Sequence, residues 1–119
     1  MHINDLFATN VTRCAHWHPQ GLAEWSALEW AGAMTGEAGE AANAAKKLKR
    51  LDGGLQSINE GDRHYADQQT ASHAVAKEVA DTIIYGLLLM ARVGVTDPES
   101  VIREVFNRKS EEYGFTERI

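Results

Sequence analysis

The chain has 119 residues, 44% of them hydrophobic and 24% charged, which suits a single domain spanning 1–119 of an ordinary soluble class. A formal net charge of -5 argues against a nonspecific nucleic-acid binder, which normally presents a basic face. With one cysteine, Cys14, no internal disulfide can form, a pattern that fits a reducing compartment.

The first ten residues, MHINDLFATN, lack a basic region followed by an apolar core, so no secretory signal is expected. A short helix is predicted over about Ile3–His16. HPQG at His18–Gly21 interrupts it, because proline and glycine together break regular structure. A long helix is then predicted from about Leu22 to Arg50, with Trp30, Met34, Ala38, Ala41, Ala45 and Leu48 on one stripe. Asp52–Gly54 ends it. Leu51–Ser72 is polar and aperiodic, and reads as a long connection. A second long helix is predicted from near Ala74 to near Gly94. Its most apolar run, Thr82–Ala91, is too short to span a bilayer and is bracketed by Asp81 and Arg92. Thr96–Ser100 reads as a third helix start with proline near the first turn. Val101, Ile102, Val105 and Phe106 are the expected buried face there, with fraying at EEYGF. The expected fold is all-α: a bundle of about four helices with two long central ones. Such long helices in so short a chain suggest a dimer or tetramer. No membrane partner is expected, and the expected location is cytoplasmic.

The stretch GEAGEAANAAKK, Gly36–Lys47, places Glu37 and Glu40 three residues apart, as helix-surface neighbours. Glu37 projects within the apolar stripe and Glu40 at its edge. KEVAD repeats the device: Glu78 and Asp81 stand three apart, just before the most apolar run. A carboxylate facing a core is costly unless paired, hydrogen-bonded or metal-bound. Four converging carboxylates would make an oxygen-ligand site suited to Mg²⁺ or Mn²⁺. Solvent-facing pairs of this spacing are also common on helices, so spacing alone leaves both readings open. Gly36 and Gly39 flank Glu37, and close packing of another backbone or a ligand would explain them.

Three segments in order, GEAGEAANAAKK, EVADTIIY and FNRKSEEYGF, resemble the MazG-like all-alpha nucleoside triphosphate pyrophosphohydrolases, over about Trp25–Phe115. Glycine at position 36 is more similar to the dCTP-pyrophosphatase and phage-type branch, since many members have a further glutamate there. The resemblance implies Mg²⁺-dependent hydrolysis of a nucleoside triphosphate to monophosphate and pyrophosphate, in nucleotide-pool house-cleaning. It implies Glu37, Glu40, Glu78 and Asp81 as metal ligands. Glu37 or Glu40 is the expected base, since a carboxylate not committed to metal can take a proton from water.

Lys47 lies two turns beyond Glu40 on nearly the same face, and is a candidate for phosphate oxygens. A solvated helix end explains it equally well. Asn107, Lys109 and Tyr85 match family positions near substrate. Trp25 and Trp30 are candidates for stacking on a base. Cys14, His16 and His18 alternate in a way that suits zinc poorly, and His64 and His73 stand apart. Two other classes compete. A di-iron carboxylate bundle needs Glu-x-x-His pairs, but the fourth positions here are Glu40 and Asp81. A non-catalytic helical interaction module would use the acidic pairs only as salt bridges.

Overall fold

A computed structural model describes residues 1–54 and 67–119. Four α-helices and one short 3₁₀ turn account for its regular structure, with no strand among the described residues. Most of the expected Leu51–Ser72 connection, including His64, lies outside the described residues. The chain divides into two compact units, one of Met1–Ala27 with Leu87–Ile119 and one of Leu28–Gly86.

Helix α1 covers Ile3–Trp17, close to expectation. It begins where the Asp5 carboxylate reaches back to the backbone N–H of His2 at 3.4 Å. It ends before Pro19, where the 3₁₀ turn Gly21–Glu24 follows. Helix α2 covers Ala27–Asp52. The continuous helix expected from Leu22 is therefore broken at Trp25, whose backbone is extended at φ -112 and ψ 146. The Arg92 guanidinium donates from Nε to the Trp25 carbonyl at 2.8 Å, supporting that break from the end of the next helix.

Helix α3 covers Gln68–Arg92, starting about six residues before the expected Ala74. Asp67 explains the early start: its carboxylate accepts the Thr70 backbone N–H at 2.7 Å, a helix cap hidden in a polar stretch. That bond and a further one to Gln69 lower the Asp67 pKa. Gly94, at φ +92, ends α3, and the Val95 N–H reaches back to the Met90 carbonyl at 3.0 Å. Helix α4 covers Pro98–Glu112, with Pro98 in its first turn. Asp97 caps it, accepting the Ser100 N–H at 3.1 Å. Asn4 of α1 joins this cap through its amide to Asp97 at 2.9 Å, and exchanges two 3.2 Å bonds with Glu99.

The core of the unit containing α1 and α4 includes Cys14, Leu87, Leu88 and Pro98, together with buried Asn10 and Ser110. In the Leu28–Gly86 unit, Trp30, Ala44 and Ala71 are buried. On α2 the covered face runs through Trp30, Met34, Glu37, Ala41, Ala44 and Leu48. Ala38 and Ala45, expected on the stripe, are exposed. The α4 face contradicts expectation more strongly: Ile102, Val105 and Phe106 are 38%, 50% and 43% exposed. Periodicity located that apolar stripe correctly, but the described residues cover it only in part, with Val101 half-buried.

Candidate metal centre

Within the Leu28–Gly86 unit, side chains of α2 meet those of α3 in antiparallel order. Trp30 faces Tyr85, with ring centroids 6.3 Å apart, and Asp52 at the other end accepts a hydrogen bond from Gln68. Between these ends stand the acidic residues. Antiparallel order is what brings a pair at positions 37 and 40 alongside one at 78 and 81.

Glu37, Glu78 and Asp81 each direct a carboxylate oxygen into one group, with all three oxygens within 4.8 Å of one another. It is the one group of three or more histidine, cysteine or acidic side chains so placed among the described residues. Glu37 and Glu78 are half-buried and Asp81 is exposed, so the group opens to solvent on one side. Glu40 is exposed and stands outside the triad, although its side chain hydrogen-bonds Glu37. Burial raises the Glu37 pKa above its ordinary value, and the negative charges of Glu40, Asp81 and Glu78 raise it further. The bond to Glu40 acts in the same direction, since it is best made when Glu37 holds the proton. Three hard oxygen donors, one with a raised pKa among like charges, are chemically suited to a divalent cation such as Mg²⁺ or Mn²⁺. A cation would reverse the repulsion that now favours the protonated form.

The glycines beside Glu37 do not serve helix packing among the described residues. A Cβ added at Gly36 or Gly39 would meet nothing within 4 Å among the described residues, so close packing does not account for them. The close approach lies instead at Gly86 of α3, where a Cβ would stand 3.4 Å from the Met34 sulfur. GLLL in an apolar run carries the signal for it: a lone glycine among large residues, four before Met90.

The other candidates fall in different surroundings. Lys47 is half-buried on α2. Tyr85 is half-buried against Trp30. Trp30 is only 1% exposed, which leaves its faces to protein neighbours rather than to a base. Trp25, in the other unit, meets the edge of the His18 ring at 4.7 Å. Asn107 is engaged twice by the Ile119 backbone: it donates to the carbonyl at 3.2 Å and accepts the N–H at 2.9 Å. Lys109 is exposed, 3.9 Å from Glu112 and 5.7 Å from the centre of the Tyr113 ring. Cys14, His16 and His18 form no metal-binding group: Cys14 is buried, His16 exposed, and His18 bonded to Glu24 at 2.5 Å. Burial, then the charge of Glu24, raises the Cys14 pKa, which keeps it a thiol rather than a thiolate ligand. No helix among the described residues is long and apolar enough to cross a membrane.

Comparisons with protein families, with curated proteins and with solved structures returned no match.

Proposed function

We propose that this protein is a Mg²⁺-dependent nucleoside triphosphate pyrophosphohydrolase, releasing a nucleoside monophosphate and pyrophosphate. The observation that supports this reading is the convergence of Glu37, Glu78 and Asp81, two half-buried and one exposed, from two different helices. Such a group would hold Mg²⁺, or Mn²⁺, with Glu40 as a fourth carboxylate beside Glu37. Bound there, the cation would neutralise the triphosphate and lower the pKa of a water.

The protein's own groups would do the rest. Glu37 or Glu40 takes the proton of the attacking water, a role that a carboxylate with a raised pKa fills better than an ordinary one. The water oxygen bonds to the α-phosphorus, the bond from that phosphorus to the bridging oxygen breaks, and pyrophosphate leaves with the electron pair. Lys47, on the same helix, is the candidate for charge on the phosphates, and Tyr85 for contact with the nucleoside. Asn107 and Lys109 stay in the proposed substrate set on the motif resemblance alone, and Trp25 as an aromatic face able to stack on a base. The substrate is a free nucleotide rather than a nucleic-acid polymer, consistent with the net charge of -5. A cytoplasmic homodimer or homotetramer belongs to the same proposal.

The test is a panel of canonical and modified nucleoside triphosphates, ribo- and deoxyribo-, incubated with Mg²⁺ and assayed for monophosphate and pyrophosphate. At least one should be hydrolysed by the wild type and not by Asp81→Asn. Absence of product from every member, or equal activity in Asp81→Asn, would refute the reading. The exposed face of α4 favours one alternative, a non-catalytic interaction module. It would leave every triphosphate intact and the melting temperature indifferent to Mg²⁺.

A further inference from the structure

Beyond α4 the chain turns back on itself. Gly114, at φ +71, makes the turn, with its N–H on the Glu111 carbonyl at 3.1 Å and the Phe115 N–H on the Ser110 carbonyl at 2.8 Å. Residues 115–119 then run without regular structure and reach Asn107, in the same unit. Ile119 meets the Asn107 amide with both of its backbone groups: its N–H donates to Oδ1 at 2.9 Å, and its carbonyl accepts from Nδ2 at 3.2 Å. The Arg118 guanidinium folds onto the tail itself, donating to the Phe115 and Glu117 carbonyls at 2.9 and 2.8 Å.

This clasp is specific and weakly held. A side-chain amide offers one carbonyl and two N–H groups, and Ile119 takes the carbonyl and one N–H of the same amide. Little apolar burial holds the tail in place: residues 115–119 are all exposed, with Phe115 at 58% and Ile119 at 59%. Solvent-accessible hydrogen bonds add little net against water, and a segment held by them opens at low cost. Asn107 also belongs to the proposed substrate set, so the tail and a nucleotide compete for the same atoms. We propose that the tail is an autoinhibitory strap: Ile119 occupies the Asn107 amide in the resting chain, and a nucleoside triphosphate gains that amide only when the strap is released. This regulation rests on the pyrophosphohydrolase reading and on the place of Asn107 in it. The apparent affinity for substrate is then the intrinsic affinity reduced by the fraction of chains with the strap open. The strap therefore acts on KM and leaves kcat alone.

The experiment is steady-state hydrolysis of the best triphosphate of the panel by the full chain with Mg²⁺, with circular dichroism as a check on folding. Ile119→Pro removes the N–H that Asn107 accepts and keeps the carbonyl. It should lower KM by roughly 2- to 10-fold at unchanged kcat, the range that one lost hydrogen bond spans. Ile119→Ala keeps the N–H and should match wild type. Asn107→Ala loses the strap and the substrate contact together, so its KM should stand above that of Ile119→Pro. Adding Ile119→Pro to Asn107→Ala should change nothing further, because the amide it would free is gone. A KM that ignores Ile119→Pro would overturn the strap. So would a KM lowered as much by Asn107→Ala as by Ile119→Pro, which would make Asn107 a tail anchor and nothing more. Should Asn107→Ala fail to fold, the comparison of Ile119→Pro with Ile119→Ala decides. The two failures are distinct: a wild type that hydrolyses no triphosphate removes the pyrophosphohydrolase reading and the strap with it, whereas an active wild type whose KM ignores the tail removes the strap alone.

Discussion

Helices α2 and α4 carry apolar stripes of the same period, yet among the described residues only the α2 stripe is well covered. On α2 the stripe contains Trp30, which is buried, and Glu37, which is half-buried among three other carboxylates. On α4 the stripe contains Ile102, Val105 and Phe106, all exposed. Periodicity reports which face of a helix is apolar; it does not report what covers that face. The α2 stripe is answered by α3 from the same unit, whereas the α4 stripe stands partly exposed among the described residues.

The sharpest way to break this comparison is to truncate one aromatic on each stripe. Trp30→Ala should cost about 3–5 kcal/mol, from lost transfer energy and the cavity left behind. Phe106→Ala should change the stability of the monomeric chain by less than about 1 kcal/mol, because its surface is already wet. Urea denaturation at a concentration low enough to suppress association measures both. Equal costs would mean that the two stripes are covered alike.

Glycines extend the contrast within the acidic unit. Gly86→Leu should destabilise by about 1–3 kcal/mol, since the added side chain must displace Met34. Gly36→Ala and Gly39→Ala should each stabilise by about 0.5–1 kcal/mol, because their Cβ positions are open and alanine favours helix. Thermal denaturation decides. Alanines that stabilise the chain yet abolish triphosphate hydrolysis would show that a ligand approaches these glycines.

A smaller effect probes the cluster itself. In metal-free protein, Glu37 retains a proton over a pH range in which the unfolded chain has lost it, because its native pKa is raised. The native state binds more protons there, so stability falls as pH rises from the ordinary glutamate value through the raised one, then levels off. Glu37→Gln should abolish that fall and melt higher than wild type above the window. Melting curves across pH would contradict this if wild type gained stability through the same range.

The smallest expected change is at Asp97. Its pKa is lowered by the Asn4 amide and by the Ser100 N–H, so its contribution is present above the ordinary aspartate value and lost as pH falls through the lowered one. Asp97→Ala should lower the melting temperature slightly at neutral pH and not at all in strong acid.

Much of the fold was legible because helices announce themselves through period and punctuation. Pro98 and Asp97 marked the start of α4, and the bounds of α1 lay within a residue or two of expectation. The start of α3 was not legible from period, because Asp67 caps it through one polar contact ahead of any apolar residue. The break before α2 was missed for a similar reason: Trp25 is apolar and keeps the helical pattern while its backbone is extended. At the candidate site, spacing placed Glu78 and Asp81 together on α3, and the projection put Glu37 inward. It could not show Glu40 standing apart from the triad, because about 60° around the axis at a stripe's edge separates an inward oxygen from an exposed one. Nor could it show that Gly86, not Gly36 or Gly39, meets a neighbouring side chain, since a close approach depends on a residue from another helix.

The central claim is that the acidic cluster directs water to the α-phosphorus of a nucleoside triphosphate. Hydrolysis of the best substrate in oxygen-18 water, with products resolved by mass spectrometry, tests it most directly. The account predicts the label in the monophosphate, none in the pyrophosphate, and no labelled product from Asp81→Asn. Label in the pyrophosphate, or labelled monophosphate formed equally by the variant, would contradict it.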